Sequence, residues 1–316
     1  MSSIRATGAH LPSRVVTNEE LASQVGESAA WIEQVSGIRE RRYAAEGETV
    51  VTLALAAAQA CLANAGVTAS DVGMLLLSSG SAERNVPGPA AQVAAELGMG
   101  TAAALDIAIP SAGSLWALSL AKQMAPVTPG GKVLVVASEI MSRRVDRTAE
   151  GRNTAILFGD GAAAALIDAQ PGTLELQDAL LQSDGTGADI LHMEGAGDAA
   201  RLHMDGGSVI LRASRKLPAV TQQLLTRNHL APDAVAHFVM HQANGNLIAK
   251  VASTLKVPPE RFFQNIAHYG NTSSASLLIA LHEFLQQTPQ PAGPVVLSSF
   301  GAGLNWGAML AMPISA

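Results

Sequence analysis

The segment Leu105–Leu118, LDIAIPSAGSLWAL, constrains the fold more than any other part of the chain. An apolar, strand-like run enters a turn of small residues, Pro110, Ser111, Ala112 and Gly113. An apolar helix follows at once, which sets the short side chain of Ser111 at a helix N-terminus. Unpaired backbone N–H groups and the helix dipole favour negative charge there. A nucleophile and its oxyanion would be well placed. The plainer role for a serine before an apolar helix is an N-cap. As a nucleophile, a serine hydroxyl needs a general base. Two later segments can complete a site: VMHQAN over 239–244 and YGNTSSAS over 269–276.

Strands and helices alternate along the chain. The continuous apolar runs Val72–Leu77 and Lys132–Ala137 predict strands covered on both faces. Helices are expected over Pro87–Leu97 and Ala112–Met124, the latter closed by Pro126. The second half repeats the order. Ala236–His241 answers the Val72 strand, Asn246–Leu255 the Pro87 helix, and Ser274–Leu285 the Ala112 helix. Pro294–Ser299 answers the Lys132 strand. Ala162–Ile167 and Trp306–Met312 each follow a glycine turn. The repeat is one of pattern, not of residues. It predicts a layered α/β fold of two βαβαβ-like halves, residues 1–169 and 170–316, about a pseudo-twofold axis. On this reading Ser111 and Asn271 open equivalent helices and meet at the axis. The polar, Gly-rich stretch 170–207 reads as a variable connection.

Composition narrows the function. Of 316 residues 48% are hydrophobic, ample for a large core, and only 15% are charged. The net charge of −6 and the lack of a basic run argue against nucleic acid. Met1–Arg5 has no apolar leader, and no run reaches the ~20 residues needed to span a bilayer. The lone Cys61 sits in an alanine-rich helical stretch, reads as core, and fits a reducing compartment. A soluble cytoplasmic protein is expected, with no membrane partner. His237 and His241 have helical ligand spacing, but the local pattern is strand, so no metal site is expected.

Several motifs in one order carry a resemblance: Trp31 with GIRER over 37–41, FGDGA over 158–162, HQAN over 241–244, GNTS over 270–273 and FGAGL over 300–304. Together they resemble the ketoacyl-acyl-carrier-protein synthase III family of thiolase-fold condensing enzymes. The resemblance spans nearly the whole chain and implies a five-layered α-β-α-β-α fold and a homodimer. It implies no resident cofactor, with coenzyme A thioesters as substrates: an acyl-CoA and a malonyl thioester on a carrier protein or on CoA. Catalysis would fall to residue 111, His241 and Asn271, the last two donating hydrogen bonds to an enolate oxygen. The backbone N–H groups of Ser111 and Gly303 would form an oxyanion hole. Trp31, Arg152 and Asn244 would hold CoA, with Arg212, Arg215 and Lys216 as a further basic patch. Gly159-Asp160-Gly161 reads as a structural turn.

The sequence also departs from the family. The family has cysteine where this chain has Ser111. Val35 stands where many relatives carry arginine, and the helix after HQAN keeps Lys250 as its only charge. That depletion weakens the case for an acidic carrier protein. Val86 replaces a pocket-walling Phe, which predicts a roomier acyl pocket. Three functions are therefore open: decarboxylative condensation, with Ser111 an engineered replacement for cysteine; a natural serine-dependent acyltransferase with His241 as base; or a silent partner subunit of a heterodimer.

Overall fold

The computed structural model describes residues 1–195 and 197–314, the side chain of residue 198 aside. Ten strands among these form the main sheet: β1 Ser3–His10, β2 Met74–Ser78, β3 Ala103–Ile107, β4 Lys132–Ile140, β5 Asp160–Asp168, β6 Leu174–Ser183, β7 His237–Met240, β8 Phe262–Phe263, β9 Val295–Gly301 and β10 Asn305–Pro313. Their order is β8-β7-β9-β10-β6-β1-β5-β4-β2-β3. Within the sheet, the two halves join where Ser3 and Ile4 of β1 pair with Glu175 and Leu174 of β6. On either side of that corner the pairing is the same. β2 lies parallel to β3 and β4, as β7 lies parallel to β8 and β9. β4 is antiparallel to β5, and β9 to β10.

Seven helices matter here: α1 Ala29–Ser36, α2 Val50–Ala65, α3 Ala90–Glu96, α4 Gly113–Met124, α5 Gly206–Arg227, α6 Gly245–Leu255 and α7 Ala275–Gln287. Local chemistry fixes their ends. Thr49 and Thr52 form a capping box at the start of α2, and Gly66 closes it in the left-handed conformation.

The layers follow from strand alternation. Val133, Val135 and Ala137 of β4 pack in one cluster with Leu115 and Leu118 of α4, Leu278 and Leu281 of α7, and Leu297 of β9. Leu134 and Val136, pointing the other way, pack with Ala54 and Ala58 of α2 and Val93 of α3. In the second half, Val296 of β9 and Leu310 of β10 cluster with Leu217 of α5 and Ile248 of α6. The order is α2/α3, sheet, α4/α7, sheet, α5/α6, the five-layered α/β architecture expected. Strands covered on both faces cannot alternate apolar with polar, which is why β2, β4 and β9 read as unbroken apolar runs.

One expectation changes. The stretch 170–207 is not only a connection: Leu174–Ser183 is β6, an integral strand paired with β10 along most of its length. The rest includes a hairpin of Leu191–Glu194 with Arg201–Met204. Cys61 is fully buried on α2, its thiol pushed up to about 12 by burial, which makes it an inert core residue. No helix among the described residues is long and apolar enough to cross a membrane.

Candidate active site

The nucleophile turn joins β3 to α4. Ser111 is 7% exposed and has φ of +66°, a left-handed conformation that a non-glycine residue adopts at a cost. It is not an N-cap: α4 begins at Gly113, Ala112 holds the cap position, and no side chain caps it. Ser111 is held by its backbone. Its N–H donates to Ser273 Oγ at 3.1 Å, and its carbonyl accepts from Ser299 Oγ at 2.8 Å. The hydroxyl is thereby left to the cavity.

Ser273 corrects the pseudo-symmetry. It precedes α7 by two residues, as Ser111 precedes α4, and it too has a positive φ, +48°. The structural counterpart of Ser111 is therefore Ser273, and the two meet across the axis. Asn271 lies two residues back in the turn. Its Oδ1 accepts from Ser273 N–H at 2.9 Å, and its backbone is pinned by Leu157 O and Gly159 N–H. Because Oδ1 is used on the turn, the Nδ2 amide is the donor left over. It makes one long contact, 3.4 Å, to Ala243 O.

His241 follows β7 directly and is 5% exposed. Its Nδ1 meets Ser276 Oγ on α7, and its backbone N–H donates to Ser298 O at 2.8 Å. Burial without a counter-charge pushes the imidazole down to about 3, so the ring is neutral at physiological pH. Its strand neighbour His237 instead packs on Phe284, ring centroids 4.9 Å apart.

Ser111, His241 and Asn271 line one cavity of about 460 Å³. Trp31, Val35 and Asn244 line it too, with an apolar wall from Val209, Ile210, Ala213 and Leu217 of α5. Those four recur at helical spacing on one face of α5, a pattern the sequence displays but which was not assigned to the site. Asn153 is a second lining residue missed by the motifs.

Other expected residues are placed differently. Asn244 reaches the cavity, but its amide is committed: Oδ1 caps α6 through Asn246 N–H at 2.8 Å, and Nδ2 donates to Val35 O at 2.9 Å. Arg152 does not line the cavity and pairs with Glu27 at 3.3 Å. Arg212 also lies off it, paired with Asp184 at 3.5 Å. Lys216 sits over the Trp306 ring at 4.6 Å, so of that basic patch Arg215 is the exposed member. Val86 is 90% exposed and touches no part of this cavity; its turn carries it outward, so within one chain it does not wall an acyl pocket.

The two residues expected to form the oxyanion hole line different cavities. Gly303 lines a second cavity of about 400 Å³, with Gly80, Pro110, Leu202 and Asn305. The glycine pressed against the nucleophile is Gly301. A Cβ there would fall 2.1 Å from Pro110 O and 2.7 Å from Ala112 N, so only glycine lets β9 approach the turn. The N–H of Ser111 is taken by Ser273 Oγ. Asp160 is structural, as expected. It is buried, accepts from Ala44 N–H and Ser142 N–H and Oγ, and burial raises its carboxyl to about 6.

With this geometry in hand, comparison with known proteins is decisive. Residues 105–200 match the family 3-oxoacyl-[acyl-carrier-protein] synthase III, and residues 225–312 match its C-terminal part. The beta-ketoacyl-[acyl-carrier-protein] synthase III of Oleidesulfovibrio alaskensis is 36% identical, over 98% of each chain. The chain belongs to the ketoacyl-acyl-carrier-protein synthase III family. The Rhodospirillum centenum member is likewise 36% identical over 98% of each chain. Among solved structures, the Aquifex aeolicus synthase III superposes with a TM-score of 0.92 at 32% identity, covering 99% of this chain and 100% of its own. The priming beta-ketosynthase of the R1128 polyketide pathway gives 0.89 at 31% identity, covering 99% and 96%. The thiolase-like fold and an acyl-transferring enzyme of the condensing class follow from this membership.

Proposed function

We propose that this ketoacyl synthase III-like protein catalyses decarboxylative condensation of an acyl group with a malonyl thioester. The acyl group leaves CoA for the Ser111 oxygen, whose proton passes to the departing thiolate. The malonyl thioester then loses carbon dioxide, and its electron pair becomes an enolate with charge on the thioester oxygen. The enolate carbon attacks the Ser111 ester. A carbon–carbon bond forms, and the serine oxygen leaves and takes up a proton.

One observation carries this reading. His241 and Asn271 enter the Ser111 cavity as two neutral polar groups, each anchored through its other heteroatom. Neutral donors suit an oxygen that gains negative charge late in the step. The second cavity, lined by Pro110 next to Ser111 in the chain, offers room for the acyl chain. Arg152 and Arg212 are already ion-paired, and Ile210 and Leu211 are 46% and 52% exposed. These features favour a CoA thioester or a small acceptor over an acidic carrier protein as the second substrate.

Ser111 itself favours a second reading, a serine-dependent acyltransferase that passes the acyl group to an alcohol, amine or thiol without decarboxylation. Labelled carbon dioxide released from malonyl thioester, with mass spectrometry of residue 111, separates the two. Acylation of Ser111 and transfer to such an acceptor with no carbon dioxide release would reject condensation.

A further inference from the structure

The contact between His241 and α7 decides more than the ring's position. Ser276 is 2% exposed, one residue into α7. Its Oγ meets His241 Nδ1 and also accepts the Gln242 N–H at 3.1 Å. Gln242 is itself immobilised. Its Nε2 donates to Met240 O at 2.8 Å and its Oε1 accepts from Asn265 N–H at 3.1 Å. Its N–H is therefore a fixed donor to the serine oxygen. The hydroxyl proton must then find an acceptor in a place without bulk water. Among the described residues the one acceptor recorded for it is His241 Nδ1.

The converse arrangement fails on the same accounting. If Nδ1 carried the proton, Ser276 Oγ would receive two N–H donors, and its own hydrogen would be buried with nowhere to go. Native interiors rarely tolerate such an orphan.

We propose that Ser276 is a positioning residue that locks His241 as the neutral Nε2–H tautomer, so that the imidazole faces the cavity as a hydrogen-bond donor. Among the described residues none hydrogen-bonds Nε2, which leaves that N–H for a substrate oxygen. The consequence is selective. A ring that already carries its proton on Nε2 polarises a thioester carbonyl, but it does not take the Ser111 proton directly. The lock thus favours enolate stabilisation over activation of the serine. Nothing local in the sequence marks Ser276, since its role depends on α7 packing beside the end of β7.

The tautomer assignment stands without the condensing reading; only the kinetic part of the test rests on it. The full-length protein is labelled with ring-15N histidine, and His241 is assigned by its loss in His241→Gln. Long-range couplings to the ring protons identify which nitrogen bears hydrogen. The expected spectrum has Nδ1 unprotonated and Nε2 protonated at neutral pH. A protonated Nδ1 in the wild type overturns the proposal, whatever any variant does. In Ser276→Ala the single tautomer should give way to a mixture. Malonyl-CoA decarboxylation, read in the Ser111→Cys background, should fall roughly 100-fold in kcat with KM little changed. Ser276→Thr, which keeps the hydroxyl, should restore both the spectrum and most of kcat. An unchanged tautomer and rate in Ser276→Ala would also overturn it. If no variant releases carbon dioxide while the wild-type spectrum shows Nε2–H, the condensing reading fails and the lock survives.

Discussion

Burying His241 as a neutral ring has a measurable signature in acid. The imidazole is moved from 6.5 to about 3 by desolvation alone. A base whose folded pKa is depressed binds its proton more readily in the unfolded chain. Its neutral burial therefore costs nothing above about pH 6.5 and destabilises the fold as pH falls from there toward 3. The size follows from about 1.4 kcal/mol per pKa step: about 2 kcal/mol at pH 5 and about 4 kcal/mol near pH 3. Asp160 acts in the opposite sense. Its carboxyl is raised from 3.8 to about 6, so its contribution weakens as pH rises through that window. The wild-type profile mixes the two, but the difference between wild type and His241→Gln does not, because Asp160 is common to both. Urea unfolding of the pair at pH 8 and pH 5 is the assay. The stability difference should shift by about 2 kcal/mol in favour of the glutamine variant at pH 5. Parallel pH profiles for the two proteins would refute the claim that His241 is buried neutral without a counter-charge.

The remaining predictions concern the proposed chemistry and assembly. Ser111→Cys should raise condensing activity by several orders of magnitude, because a thiolate beside a helix N-terminus is the better nucleophile; unchanged or lower activity would favour a natural serine-dependent transferase. Decarboxylation in that variant should show no ionisation near pH 6.5, since His241 stays neutral down to about 3, and a step in the rate there would contradict the buried-ring account. Turnover with malonyl-CoA should exceed turnover with malonyl carrier protein, and the reverse ranking would restore the carrier protein as substrate. β3 is a sheet edge with Leu105 47% exposed, so a homodimer covering that edge is expected; light scattering showing a monomer at micromolar concentration would speak against it.

What the sequence revealed, and what it concealed, have physical reasons. β2, β4 and β9 were legible because each is covered on both faces and reads as an unbroken apolar run. β6 was not, because its face-by-face burial is mixed and LELQDALLQS carries polar residues toward partly open positions. Ser111, His241 and Asn271 were legible because each sits where a strand ends or a helix is about to begin, within a short recognisable string. Gly301, rather than Gly303, touches the nucleophile turn, and a string of alternating glycines does not say which one makes the close approach. Ser273 and Ser276 lie in a run of serines whose members look alike until tertiary packing sets one against Ser111 and another against His241. The outward direction of Val86 was hidden because a position inferred by resemblance does not report which way its turn faces.

The division of labour between residue 111 and the two neutral donors is the centre of this account. It is tested by comparing Asn271→Ala with its parent, both in the Ser111→Cys background. Loss of one oxyanion donor typically removes roughly 100–1,000-fold in rate. Release of labelled carbon dioxide from malonyl-CoA should fall by that order, while mass spectrometry should find acylation of residue 111 largely intact. If Asn271→Ala left carbon dioxide release untouched, the assignment of Asn271 and His241 as the enolate's donors would be wrong.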